Sequence, residues 1–448
     1  MLALLIVLAI VGYFLWYQFV SKRRGFPPGP TPLPFFGNLL QLGRTEPHHK
    51  LIQWSKQYGP VYTFWLGSQP NVVVTDYHII RDILTKQGDA LSGRPDHFLF
   101  QDFRGGRDYG LTVNDGNIWK EQRQFAIRVL RDLGFGRPVM EEKIMVEVRK
   151  LVKELEQQVT DQNAAAAFDI VPSLELCMGN IISSVLFGHT LENETKFYTI
   201  RHDLDAAVKQ SGKLESLLLS QYPWLRHIPL LEHFGYDVFK RGKEKVHAFF
   251  KNEVTEHQAV FDPEEEPTDY TAAFLQEMHK QKSLEGNDDT TSFTVWQLKM
   301  ANLDLWAAGL ESTVTTLKWA ILYMILHPDI QKKCYQEGTA ILPQISSVLA
   351  EERFFPQPEK FLPSRFLCEE HGKTILNKEK LDVLIPFSLG KRSCLGESLA
   401  RMELYLIFGS LIHHFHFSLP EGHKKPSTNS IEAFMRSPEP YKVYFSKR

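Results

Sequence analysis

Cysteine is scarce in this chain: four in 448 residues, Cys177, Cys334, Cys368 and Cys394, with no CxxC and no Cys/His pairing. That excludes a disulfide scaffold and a zinc site of ordinary spacing, and it suits a reducing, cytosol-facing location. Net charge is equally thin, −2 from 51 basic and 53 acidic residues, so no global field draws nucleic acid and any basic surface is a local patch. Internal repeats, low-complexity tracts and a GxGxxG segment are absent, which argues against a solenoid and against a nucleotide cofactor held on a dinucleotide fingerprint. What is present, 43% hydrophobic and 23% charged residues, is enough to bury a large core.

The one long charge-free run lies at the N-terminus. From Leu2 to Val20 there is a single amide, Gln18, and the run predicts a membrane-spanning helix. Trp16 and Tyr17 stand at its end as interfacial aromatics do, and Lys22, Arg23 and Arg24 follow at once, which keeps the remainder cytoplasmic. A cleaved signal peptide is the rival, against which stand the missing basic n-region and cleavage site. The prolines and glycine of FPPGPTPLP, 26–34, then forbid a helix and form a stiff linker. The expected division is a transmembrane anchor over 1–20, a basic, proline-rich hinge over 21–36 and one catalytic domain over 37–448.

Within that domain PVYTFWLGSQPNVVVTD, 60–76, is β-branched and aromatic around a turn and predicts a hairpin. Apolar spacing of three and four predicts helices over 117–134, 141–159, 294–326 and 397–415. FDPEEEPTDY, 261–270, and QKSLEGNDDTTS, 281–292, are expected to be solvated loops. The fold class is mainly α with small β-sheets (α+β).

Chemistry concentrates in PFSLGKRSCLGESLARMELYLIF, where a loop with Gly390 leads to Cys394 and Gly396 opens an amphipathic helix. A cysteine just before a helix N-terminus meets unpaired N–H groups and the positive dipole end, and Lys391 and Arg392 add charge, so the thiolate is the expected form. The alternative for a lone cysteine is a buried structural role. Phe387, Gly390, Arg392, Cys394 and Gly396 match the FxxGxRxCxG signature at every fixed position, and here the chain resembles the cytochrome P450 family, in particular its animal microsomal, family 2-like branch. The resemblance implies a cytochrome P450 fold behind a single transmembrane helix, and haem b with Cys394 as proximal iron ligand. It also implies Phe387 packed against the cysteine, glycines that admit the porphyrin, and Arg392 paired with a propionate.

Further motifs carry the resemblance. In WAAGLESTVTT, 306–316, a mid-helix glycine costs about 1 kcal/mol and needs a reason. The resemblance implies that Ala308 and Gly309 open a groove for dioxygen, while Glu311 and Ser312, with Thr313 as substitute hydroxyl, deliver protons. Trp119 and Arg123 form WxxxR on one helix face, which the family directs at a haem propionate; alone it is a common cation–π pair. Lys120, Arg128 and Arg131 on that helix are either a docking patch for a reductase or a solvated face. SGRP (92–95), HPDIQKK (327–333) and FLPSRF (361–366), the last with Arg365 as the meander's charged residue, extend the likeness from anchor to last strand.

One piece is missing. The family's ExxR helix, whose Glu and Arg pair with the meander arginine, has no counterpart between His327 and Arg365. HPDIQKKCYQEG runs directly into TAILPQISSVLAEERFF, an internal deletion near 337–339 of roughly fifty to seventy residues relative to the family, more than a loop variation. Arg365 is then expected to stand without its partners unless Glu351 or Glu352 replaces them, with a cost of about 3–5 kcal/mol and impaired haem incorporation.

The expected function is an endoplasmic-reticulum, single-pass monooxygenase with a cytoplasmic catalytic domain, acting on small to medium apolar xenobiotic, fatty acid or steroid-like substrates. Pocket segments are expected around 97–118, 200–235 and 297–312. Electrons come from NADPH through a separate flavoprotein, the NADPH–cytochrome P450 reductase, with cytochrome b5 as a second candidate donor; membrane lipid is a partner and nucleic acid is not. The alternatives are a catalytically silent membrane-bound isoform and a haem isomerase or peroxygenase that needs no reductase.

Overall fold

Apolar residues recurring at three and four make most of this chain helical, and the computed structural model is built accordingly. It describes all residues except 1, 20, 43–46, 96, 107–108, 162–167, 192–193, 212, 228–235, 286–290, 338–352, 359, 371–372, 420–421 and 432–434. In order come α1 (Leu2–Phe19), α2 (Leu39–Leu42), α3 (Pro47–Tyr58), β1 (Val61–Leu66), β2 (Gln69–Val74), α4 (Tyr77–Lys86), α5 (Phe98–Arg104), α6 (Gly116–Asp132), α7 (Pro138–Asp161) and α8 (Val171–Phe187). Then follow α9 (Glu194–Ser211), α10 (Leu214–Gln221), α11 (Tyr236–Val260), α12 (Tyr270–Glu285), α13 (Val295–Leu326) and α14 (Pro328–Glu337). The chain closes with β3 (Leu367–Glu370), β4 (Lys373–Leu376), α15 (Lys378–Asp382), α16 (Glu397–His414), β5 (Phe415–Ser418), β6 (Ser430–Ile431), β7 (Ser437–Pro438) and β8 (Tyr444–Lys447). Among the described residues the strands pair antiparallel in twos, β1 with β2, β3 with β4, β5 with β8 and β6 with β7.

The four helices expected from spacing are α6, α7, α13 and α16, and the expected hairpin is β1–β2, in register from Val61↔Val74 to Leu66↔Gln69. Residues 261–269 are irregular, as their prolines and charges dictate, but 281–285 continue α12, and 286–290 lie outside the described residues. The junction near 337–339, its following strand, Glu351 and Glu352 also lie outside them, as do 228–235 of an expected pocket segment.

The chain divides into two units. The first, Met1–Leu91 with His97–Leu99 and Gln210–Asp237, is centred on Trp54, Tyr62 and Phe64 between α3 and the hairpin. Its proline segment lies against β1, with Thr63 N donating to Pro28 O at 2.9 Å, and a Cβ on Gly29 would fall 1.8 Å from Thr63 O, so no other residue fits. Helix α1 forms over 18 residues, about 27 Å against the roughly 30 Å of a hydrocarbon core. No helix among the described residues is long and apolar enough to cross a membrane.

The second unit holds the large core, with α13 as its axis. Thr294 caps α13, its Oγ1 accepting from Gln297 N at 3.1 Å, and most residues of the helix are buried, apolar on every side as an interior helix must be. Helices α8, α12, α14 and α16 pack on it, and α7 packs on both α8 and α16. The buried Gln331 of α14 donates to Met324 O and Phe417 O and accepts from Phe417 N, tying α13, α14 and β5 together.

Candidate active site

The cysteine loop is closed by its own backbone. Gly390 takes φ 72°, Ser393 N donates to Gly390 O at 3.2 Å, and Cys394 N donates to Phe387 O at 2.8 Å. Gly396 then caps α16 and its N–H meets the sulfur. Cys394 is exposed. The thiol lies above its ordinary value, because partial burial outweighs the Gly396 N–H, Glu397 adds to the rise, and Arg123 opposes it. Phe387 itself lies under the guanidinium of Arg401, 4.8 Å away.

Around this loop the fold gathers cations. Arg123 Nη2 donates to Ser393 O at 2.5 Å, so the WxxxR helix α6 is bonded to the residue beside the cysteine. Arg392 stacks 3.4 Å over Trp119 and donates to Ser92 O (2.8 and 2.5 Å) and Asn114 O (2.7 Å). Sequence reasoning missed Arg94, quoted only within SGRP; its N–H meets Asp115 Oδ2 at 2.9 Å and its Nε meets Thr112 O at 3.2 Å. Burial first, then Arg94 and Arg123, bring Arg392 down to about 10, with Asp115 opposing. Arg94 and Arg392 thus both feel Asp115, while Arg123, which feels Arg94 and Cys394, adds a third half-buried guanidinium. Trp119, 2% exposed, adds an indole N–H with no hydrogen-bond partner. Surplus positive charge and an orphaned donor beside an available cysteine fit a dianionic, iron-bearing group such as haem.

On α13 the motif residues separate. Ala308 is exposed on an otherwise buried helix, and Ser312, one turn on, donates to Ala308 O at 2.7 Å. Thr313 is 2% exposed and donates to Glu403 Oε2 at 3.2 Å, away from the Ser312 position. Gly309 faces α8: a Cβ there would lie 3.1 Å from Ile182 Cδ1, so its absence serves close helix packing. Glu311 is held by Arg201 of α9, which also meets Glu175 at 3.2 Å, and Thr315 Oγ1 lies 3.5 Å from Glu311 Oε1. Burial raises Glu175 above the usual carboxylate range, Arg201 opposing and Glu311 adding.

Arg365 is not stranded as expected. Half-buried, it donates to Leu362 O (3.2 Å), Pro356 O (2.9 Å), Gln357 O (3.0 Å) and Lys360 O (2.8 Å), so the cost of a fully buried, unbonded charge does not arise. Of the basic residues on α6, Arg128 pairs with Glu277 at 3.7 Å, and Lys120 lines an open depression of about 620 Å³ with Asn117, Glu121 and Ser292.

The family profile described as Cytochrome P450 matches residues 27–337 and 336–445, in two pieces that meet where the chain lacks the ExxR helix. The chain is 30% identical to a protein of Caenorhabditis elegans named "Probable cytochrome P450 CYP36A1", over 100% of this chain and 99% of the relative. That alignment spans 505 positions, 57 more than this chain has residues. It is 31% identical to rat "Cytochrome P450 2C23", over 96% of this chain and 94% of the relative. It is 30% identical to a pig "Vitamin D(3) 25-hydroxylase", over 98% and 97%.

Proposed function

We propose, from the premise that this chain belongs to the cytochrome P450 family of haem-thiolate monooxygenases, that it oxygenates small to medium apolar molecules at the endoplasmic-reticulum membrane with Cys394 as the iron ligand. The single observation that carries the site is the cluster of Arg94, Arg123, Arg392 and the orphaned Trp119 N–H around the Cys394 loop.

Haem, when bound, supplies oxygen activation, and a thiolate ligand favours O–O cleavage. Cys394 holds the iron, and because a coordinating thiol is deprotonated outright, its raised value is no obstacle. The guanidiniums would offset the propionate charge, and Trp119 Nε1–H would donate a hydrogen bond to a propionate. Ala308 leaves room on α13, Ser312 Oγ holds a transferable proton, and Glu311, once it parts from Arg201, replaces it by passing on a proton taken up from solvent. Electrons come from NADPH through a separate flavoprotein reductase received on the basic side of α6, with cytochrome b5 as a second donor. Helix α1, whose Leu5, Ile6, Ile10, Val11, Phe14 and Trp16 are exposed, serves as the anchor, with the basic Lys22–Arg24 after it.

A silent isoform is the second reading, supported by the two-piece profile match and the 57 surplus alignment positions. The reduced carbon monoxide difference spectrum of membranes carrying this chain separates them. A red-shifted Soret band lost in Cys394→Ala supports the enzyme. No bound haem, or a band unchanged by that substitution, removes the enzyme reading and leaves the isoform.

A further inference from the structure

Helix α16 buries a stripe of Leu399, Leu404, Ile407, Phe408 and Leu411, and a carboxyl side chain, Glu403, sits within it at 1% exposure. Its Oε2 meets Thr313 Oγ1 of α13 at 3.2 Å, and its Oε1 is buried with no hydrogen-bond partner. No Lys, Arg or His forms an ion pair with it among the described residues. Its ionisable surroundings are unfavourable: Cys177 of α8, itself buried, feels Glu403 together with Glu147 and Glu154 of α7, and the cation it also feels, Lys150, pairs with Glu147 at 2.6 Å. A carboxylate here would add uncompensated negative charge to a dry, acid-rich core.

We propose that Glu403 is a positioning residue, carried as the neutral acid, that ties α13 to α16 through Thr313 and so fixes the turn bearing Ser312 against the helix that Cys394 leads into. Burial pushes its carboxyl up to about 8, with the Thr313 hydroxyl opposing. The tie joins the helix that bears the proton-holding hydroxyl of the proposed site to the helix that follows its sulfur, nine residues beyond Cys394 on one side and next to Ser312 on the other. Its meaning for catalysis rests on the proposed function; the tie itself does not, and its test needs no haem.

The test is infrared spectroscopy and hydrogen exchange on the full chain in detergent. At pH 6 to 7, where surface carboxylates are ionised, the wild type should show a carboxylic-acid C=O stretch that is absent in Glu403→Gln, fades as pH passes about 8, and moves to higher frequency in Thr313→Val. Amide exchange across 308–316 should quicken severalfold in Glu403→Leu and return towards wild type in Glu403→Gln, which keeps a polar partner for Thr313. Absence of the acid band, its loss together with ordinary carboxylates, or a band unmoved by Thr313→Val overturns the proposal. So does equal exchange in the Gln and Leu variants. A carbon monoxide spectrum of the same samples reports separately on the proposed function.

Discussion

Replacing Arg104 by Met should unfold this protein more readily than any surface change. Arg104 Nη2 meets Asp304 Oδ1 at 2.5 Å, with side-chain exposures of 11% and 4%. Asp304 Oδ2 accepts from Leu111 N (2.6 Å) and Thr112 N (3.0 Å). Gly110, at φ 88°, leaves room for this: a Cβ there would stand 2.5 Å from Asp304 Oδ2. Without the guanidinium the carboxylate keeps two N–H donors but no counter-charge, a loss of about 3–5 kcal/mol, against whole-domain stabilities of roughly 5–15 kcal/mol. Urea unfolding of the full chain, followed by tryptophan fluorescence and far-ultraviolet circular dichroism, should show a lower midpoint with little change of slope. Arg104→Met with Asp304→Leu should recover most of the loss, since a buried pair exchanged for apolar groups is close to neutral. A loss under about 1 kcal/mol, or a double variant as weak as the two singles summed, would refute the reasoning. The segment at stake, 110–115, also supplies Asn114 O to Arg392 and Asp115 to Arg94.

Three other outcomes follow from the geometry. Both ring nitrogens of His257 face carbonyl oxygens, Glu253 O at 2.9 Å and Phe187 O at 3.0 Å, with Asp269 3.7 Å away, an arrangement that favours the protonated ring. Burial pulls its pKa down, but Asp269 and the two carbonyls outweigh it and the net shift is upward from 6.5. Its stabilisation is therefore complete below about 6.5 and lost as pH rises through the raised folded value; the difference in unfolding midpoint between wild type and His257→Gln should shrink from about pH 6 to 9. A Cβ on Gly179 would lie 2.3 Å from Phe197 Cε2, a fully buried ring, and Gly179→Ala should cost about 1–3 kcal/mol in the same unfolding assay. Arg392→Lys loses the fork to Ser92 O and Asn114 O and the stack on Trp119, and haem retention measured by transfer to apomyoglobin should weaken by about tenfold or more.

The hairpin and the long helices were legible because their signals are local: β-branched and aromatic residues around the turn at Gly67 and Ser68, and spacing of three and four along α13 and α16. The cysteine loop was legible for the same reason, its glycines and Cys394 lying within ten residues. What escaped depends on partners far apart in sequence. Arg94 joins Arg392 across 298 residues, Glu311 finds Arg201 on α9, and Glu403 finds Thr313 across 90. The mid-helix glycine was noticed and its cost understood, yet only packing shows that Ile182 is what it makes room for. At Cys394 the helix end and the nearby cations are visible in the sequence, whereas the desolvation that opposes them depends on the folded surroundings.

The meander arginine has a consequence for how its turn forms. Four carbonyls that hold Arg365 lie three to nine residues upstream of it. Such a knot closes over a short span, at little loop entropy. These bonds are drawn from the chain between Pro356 and Leu362 and so can form early, as a local event in folding.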